Sequence, residues 1–334
     1  GLSRISQREL PLNQVYTYPT SAGKDVDIYI VDSGVDINNP DFEGRAEWGA
    51  NFVKGSPDLD EAGHGTLVAG IAAGASVGVA KKANIISVKC LGKDGNGNIE
   101  DIIEGLHYIL KRVENNHSQK HKKSIVNISL SSDKNIALNQ AVDALSRAGV
   151  IVVAAAGNSL PSDNSTIKDS CQKSPASSET AITVGSTDDR DQLSHFSNTG
   201  KCVNILAPGE GIISENKDDT IVAYSGTSYS APHVAGILAI YWSQPQHKNK
   251  TSVPLNKSQV IDQLYQLATP NIIKNVTDGT PNLLAFVGTE STHSKLVSSS
   301  KHPSQTNQSI KQMPGNLYIL YIFIYLLYSF YIVI

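Results

Sequence analysis

From about residue 24 to residue 245, short apolar runs alternate with segments whose apolar residues recur at three- and four-residue spacing. Val26–Val31, Ile85–Cys90, Ser124–Leu130 and Val150–Ala155 are apolar and β-branched without alternation, as in strands covered on both faces. Gly65–Ala73, Asn98–Val113 and Asn135–Ala148 read as helices that pack one stripe against such strands. This alternation predicts an α/β fold: a doubly wound, mostly parallel sheet flanked by helices, with ligands at the carboxyl ends of the strands.

The pattern changes near residue 290. Residues 290–316 are rich in Ser, Lys, Gln, Thr and Asn, with little to bury, and read as a flexible stalk. Leu317–Ile334 is then an apolar run without charge. As a helix it would span roughly 27 Å, close to the hydrocarbon thickness of a bilayer. A membrane anchor and a cleaved lipid-anchor signal, attached near Ser298–Ser300 or Ser304, are the leading readings; a poorly ordered tail is the other. The expected organisation is a folded domain over 1–289, a stalk over 290–316 and an apolar tail over 317–334.

Composition narrows the classes. Of 334 residues, 40% are hydrophobic and 18% charged, which fits a chain with a sizeable core. The net charge of −3 and the absence of a large basic block argue against nucleic acid as a partner. The run Lys120–Lys123 reads as a solvated loop. The sequence begins at Gly1 and its only methionine is Met313, so it reads as a processed or cut form, without signal peptide or pro-segment. Asn-X-Ser/Thr sequons at Asn116, Asn127, Asn164, Asn249, Asn256, Asn275 and Asn307 are compatible with a secretory route; Asn127 falls in an apolar run and is expected to be buried.

Four stretches carry residues suited to chemistry. Asp27-Ile28-Tyr29-Ile30-Val31-Asp32-Ser33-Gly34 places a carboxylate, Asp32, where a strand ends in a turn. Alone, such an aspartate is more often a turn or cap residue. In Gly63-His64-Gly65-Thr66, a histidine between two glycines opens a small-residue helix, which would fix the direction of its imidazole. In Ser225-Gly226-Thr227-Ser228-Tyr229-Ser230-Ala231-Pro232-His233-Val234-Ala235-Gly236, Ser228 sits where a glycine-containing loop enters a helix. Its N–H and the positive end of the helix dipole would then face negative charge on an attacked carbonyl. Ala155-Ala156-Gly157-Asn158 places an amide, Asn158, at another strand end; it reads as a turn residue or as a second donor to that oxyanion.

Together these stretches resemble the subtilisin superfamily of serine endopeptidases, whose chain order is Asp, His, Ser. The similarity covers most of residues 1–290. Gly1-Leu2-Ser3-Arg4-Ile5-Ser6, Ser174-Pro175-Ala176-Ser177, Phe196-Ser197-Asn198 and Ala207-Pro208-Gly209 are similar to the proteinase K branch, and within it to cerevisin-like fungal proteases. The resemblance implies Ser228 as nucleophile, His64 as general base and acid, Asp32 as its orienting partner, and Asn158 with the Ser228 N–H as oxyanion hole. It implies that peptide adds as a strand between two edges, here Gly95, Gly97 and Ile99 on one side and Ser129, Leu130 and Ser131 on the other. It also implies an inhibitory pro-segment, a monomer, no required cofactor, and a secretory route to vacuole, cell surface or spore or cell wall.

Some positions depart from the family. Ser131 stands where Gly is usual and could narrow the pocket before the scissile bond. Tyr229 replaces the usual Met, Val68 replaces a frequent Cys, and Asn204 replaces an Asp that often ligates calcium, which leaves a structural calcium in doubt. Ser131 and Tyr229 are the main support for the rival reading, a silent homologue with a binding or structural role in a wall; the intact Asp32, His64, Ser228 and Asn158 argue against it. A metal hydrolase finds no His-Glu-X-X-His spacing. Three cysteines permit one bridge and one free thiol. The resemblance implies that Cys171 pairs with Cys202; Cys90, at the end of an apolar strand, is expected to be a buried thiol.

Overall fold

The computed structural model describes residues 1–115, 123–159, 168–215, 221–248, 251–277, 279–288 and 294–298. The apolar run Leu317–Ile334 and the sequons at Asn116, Asn164, Asn249 and Asn307 lie outside these residues. No helix among the described residues is long and apolar enough to cross a membrane.

A nine-stranded sheet organises the chain. In spatial order its strands are Thr269–Pro270, Leu283–Leu284, Ile205–Pro208, Ile182–Thr187, Ile151–Ala155, Lys123–Ile128, Val26–Asp32, Asn84–Lys89 and Ala46–Asn51. Neighbours run parallel except at the edge, where Thr269–Pro270 and Leu283–Leu284 are antiparallel. The chain starts this sheet with Val26–Asp32, third from one edge, fills the two places on that side, then returns to fill the other. The strand order therefore reverses beside Asp32, and such switch points open a crevice at the strand ends.

Two apolar layers cover the sheet. Val26, Ile28 and Ile30 face the helices His64–Ala73 and Thr227–Ser243, while Tyr29 and Val31 face Ile99–Asn115 and Ile136–Arg147. Every residue of His64–Ala73 is buried, as expected of a helix apolar or small on all sides. A hairpin, Ile212–Glu215 with Ile221–Tyr224, lies over that helix, where Ser214 Oγ donates to Leu67 O at 2.9 Å. Asn127 is fully buried in its strand, as its apolar neighbours predicted. Five residues of the expected stalk, Ser294–Ser298, form a strand antiparallel to Val15–Pro19.

Candidate active site

Asp32 ends the strand Val26–Asp32 with its carboxylate fully buried. Oδ1 accepts from Ser33 N at 2.8 Å and lies 2.8 Å from His64 Nδ1. A carboxylate there can only accept, so Nδ1 carries the proton and Nε2 presents its lone pair. Nε2 is buried and makes no hydrogen bond among the described residues. His64 can approach so closely because residue 65 is glycine. A β-carbon at Gly65 would lie 1.9 Å from Gly34 O and 3.2 Å from Asp32 Cβ.

Ser228 is the second residue of the helix Thr227–Ser243, which contains Pro232. Proline has no N–H, so the Ser228 carbonyl loses its partner four residues on. Ser129 Oγ replaces it, donating to Ser228 O at 2.7 Å, while Asn127 Nδ2 donates to Ser129 Oγ at 2.8 Å. One turn later, the His233 ring bonds Tyr229 O through Nδ1 at 2.7 Å. Burial pushes the His233 pKa down to about 3, so the ring is neutral and Nδ1–H is the donor.

Asn158 follows the strand Ile151–Ala155. Its Oδ1 accepts from Thr227 N and Thr227 Oγ1, both at 3.0 Å, and Thr227 Oγ1 accepts from Gly157 N at 3.1 Å. With the amide oxygen held, Nδ2 is turned to the space beside Gly226. A β-carbon on Gly226 would lie 3.0 Å from Ser228 Oγ and 3.4 Å from Asn158 Nδ2. Ser228 Oγ and Asn158 Nδ2 therefore border one space, which stays open because residue 226 is glycine. The Tyr229 ring borders the same space, its Cδ2 3.5 Å from a β-carbon on Gly226, with its centroid 5.5 Å from His64 and 5.8 Å from Tyr224.

The segments expected to hold substrate divide. Ser129 and Leu130 are buried: Ser129 serves the Ser228 helix, and Leu130 joins the core. Their side chains thus face inward, leaving the main chain of 129–131, which has no strand partner among the described residues. Ser131 is half-buried, and its Oγ would lie 2.9 Å from a β-carbon on Gly157. On the other edge Gly95 is buried in a turn at φ 75°, Gly97 packs on Cys90 O, and Ile99 opens a helix and packs against the core.

Cys171 and Cys202 form a disulfide with Cα atoms 5.3 Å apart, and Cys90 is the free cysteine, buried, its thiol pushed well above the ordinary range by desolvation. Asn204 Oδ1 accepts from Thr183 N at 2.7 Å, so this neutral side chain caps a strand start. Sequence reasoning did not find Asp60, Thr227 or Lys89, which hold these groups in place. Each makes a bond to a distant segment, at Ser33 or Asn158, and no periodicity marks them.

Comparison with known proteins agrees with this geometry. Residues 23–288 match the model of the Subtilase family. A subtilisin-like protease of Coccidioides posadasii is 38% identical over 86% of this chain and 59% of its own length. Cerevisin of Saccharomyces cerevisiae is 38% identical over 86% of this chain and 46% of its own. The chain thus spans less than two thirds of either relative. A solved cold-adapted subtilisin-like serine proteinase aligns with TM-score 0.76 and 36% identity, over 87% of this chain and 98% of that one. With an aspartate, a histidine, a serine and an amide donor gathered at the switch point of a parallel sheet, the chain belongs to the subtilase family of serine endopeptidases.

Proposed function

We propose that this protein is a broad-specificity serine endopeptidase acting through Asp32, His64 and Ser228, with Asn158 and the Ser228 N–H as oxyanion hole. The observation that carries the reading is the buried 2.8 Å contact of Asp32 with His64 beside the space shared by Ser228 Oγ and Asn158 Nδ2. Ser228 Oγ attacks the scissile carbonyl carbon as its proton passes to His64 Nε2. The carbonyl oxygen becomes an oxyanion that accepts from Asn158 Nδ2 and Ser228 N. Collapse breaks the C–N bond, and His64 returns the proton to the leaving amine. Water repeats the sequence on the acyl-enzyme and restores Ser228. Asp32 stabilises the imidazolium in both halves; losing such an aspartate costs roughly 10⁴-fold in kcat.

Peptide and protein substrates add as a strand along the free main chain of 129–131. The enzyme matures from a zymogen whose pro-segment inhibits it, and acts as a monomer. It follows a secretory route to vacuole, cell surface or wall, and its apolar tail attaches it to a membrane or wall. The Cys171–Cys202 disulfide supports an oxidising compartment. Glycans on sequons fit the same route, though buried Asn127 is no acceptor in the folded chain.

Ser228→Ala tests the mechanism. It is expected to abolish peptide hydrolysis and fluorophosphonate labelling while the fold is kept. Turnover by Ser228→Ala that serine reagents still block would overturn the assignment.

A further inference from the structure

Four hydrogen bonds converge on one buried carboxylate outside the triad. Asp60 is 6% exposed and stands in the loop before His64. Its Oδ1 accepts from Ser33 Oγ at 2.7 Å and Gly63 N at 2.8 Å. Its Oδ2 accepts from Thr66 N at 2.8 Å and Thr66 Oγ1 at 2.6 Å. Ser33 Oγ in turn accepts from Gly65 N at 3.0 Å. The backbone N–H groups of 63, 65 and 66, on both sides of His64, therefore hang on Asp60 directly or through Ser33. The N-cap of this helix, Gly63, supplies no side-chain cap, so Asp60 takes that place from outside the helix.

A cap alone would need only the helix N–H groups, yet Asp60 also grips the turn that follows the catalytic aspartate. Ser33 bonds Asp60 through its hydroxyl and Asp32 Oδ1 through its N–H. One residue thus ties the Asp32 turn to the His64 helix. Placing two buried carboxylates so near one turn costs free energy unless a cation balances them. Lys89 is fully buried, donating from Nζ to Ser33 O at 2.6 Å and to Leu91 O at 3.1 Å. Glu61 Oε2 lies 3.9 Å from the same Nζ. Desolvation lowers the Lys89 pKa, and the carboxylates of Glu61, Asp60, Asp32 and Asp58 oppose that shift.

We propose that Asp60 is the positioning residue of the catalytic histidine: with Ser33 and Lys89 it forms a buried cage that sets the Asp32–His64 contact. The proposal rests on the triad reading above. It predicts that loosening the cage lowers the rate of chemistry without weakening peptide binding, since nothing in the cage touches substrate.

The test uses the full chain with Asp60→Ala, Asp60→Asn and Ser33→Ala. Asp60→Ala is expected to lower kcat on the order of 10²-fold, the cost of a small misplacement of a catalytic group, with KM little changed. Asp60→Asn, which keeps an acceptor for Ser33 Oγ and Gly63 N, is expected to lose less. The low-field proton NMR signal of His64 Nδ1–H should shift in each variant under conditions where circular dichroism shows a folded chain. Folded variants with wild-type kcat and an unmoved signal, or a change confined to KM, would overturn the cage. Should Asp60→Ala fail to fold, Asp60→Asn and Ser33→Ala decide the matter by the same readouts. A wild-type enzyme that neither reacts with a fluorophosphonate nor cleaves peptide would instead overturn the triad reading, and the cage with it.

Discussion

Asn158 shows how a single side chain acquires a direction. An exposed asparagine amide turns freely, but here Thr227 donates twice to Oδ1 and leaves only Nδ2 to face the nucleophile. A donor preorganised in this way acts on the transition state more than on the ground state, because the charge it meets develops only there. Asn158→Ala is therefore expected to lower kcat by roughly 10²–10³-fold with little change in KM, as steady-state kinetics on a peptide substrate would show. A change in KM alone would mean that Asn158 binds substrate instead. The candidate residues stood out in the sequence because the four motifs that carry them, taken together, resemble one family. The partner that orients Asn158 did not, since its bond joins positions 69 residues apart.

Among the elements, the Ser228 helix depends on a neighbouring strand. Pro232 frees the Ser228 carbonyl, and Ser129, just past the strand Lys123–Ile128, satisfies it. Removing that hydroxyl leaves a buried acceptor unpaired, which costs about 1–3 kcal/mol. Ser129→Ala should lower stability by that amount, measured by urea unfolding in a Ser228→Ala background that prevents self-digestion. An unchanged unfolding midpoint would show that this bond does not secure the helix. The same contact explains a boundary that periodicity missed. The apolar run predicted a strand over Ser124–Leu130, yet pairing stops at Ile128, where the chain turns aside to meet the helix. Elsewhere the boundaries agree closely, as for Val26–Val31 against Val26–Asp32 and Gly65–Ala73 against His64–Ala73. Continuous β-branched runs and small-residue helices are strong local signals, whereas the tyrosine-bearing hairpin over His64–Ala73 carries none.

At the scale of the molecule, the disulfide closes a segment 31 residues long between Cys171 and Cys202. Cross-linking a loop of that size lowers the entropy of the unfolded chain, a stabilisation of about 3–4 kcal/mol. Replacing both cysteines by serine should remove that much from the unfolding free energy, again in the Ser228→Ala background. A loss well under 1 kcal/mol would show that the unfolded chain or native strain offsets the constraint. The closed segment contains Phe196 to Thr199, whose main chain packs beside Asn158 and Ser159. The bridge therefore steadies the loop that carries Asn158.

Local chemistry in the sequence determined the α/β class and the strands and helices that frame the site, and the family resemblance singled out Asp32, His64, Asn158 and Ser228 as its candidates. The class and the elements follow from nearest-neighbour rules: apolar periodicity chooses the element, and glycine marks where backbones must approach. Only the tertiary structure decided which inward-facing groups hold those four residues in place. Each of Asp60, Lys89, Thr227 and Ser129 makes at least one hydrogen bond to a segment far away in the chain: to Ser33, Ser33, Asn158 and Ser228. Their worth arises from burial, which makes an unmet polar group costly and a met one directional. A local apolar run can announce that a residue is buried, as for Asn127, but not which partner from another segment it will meet there.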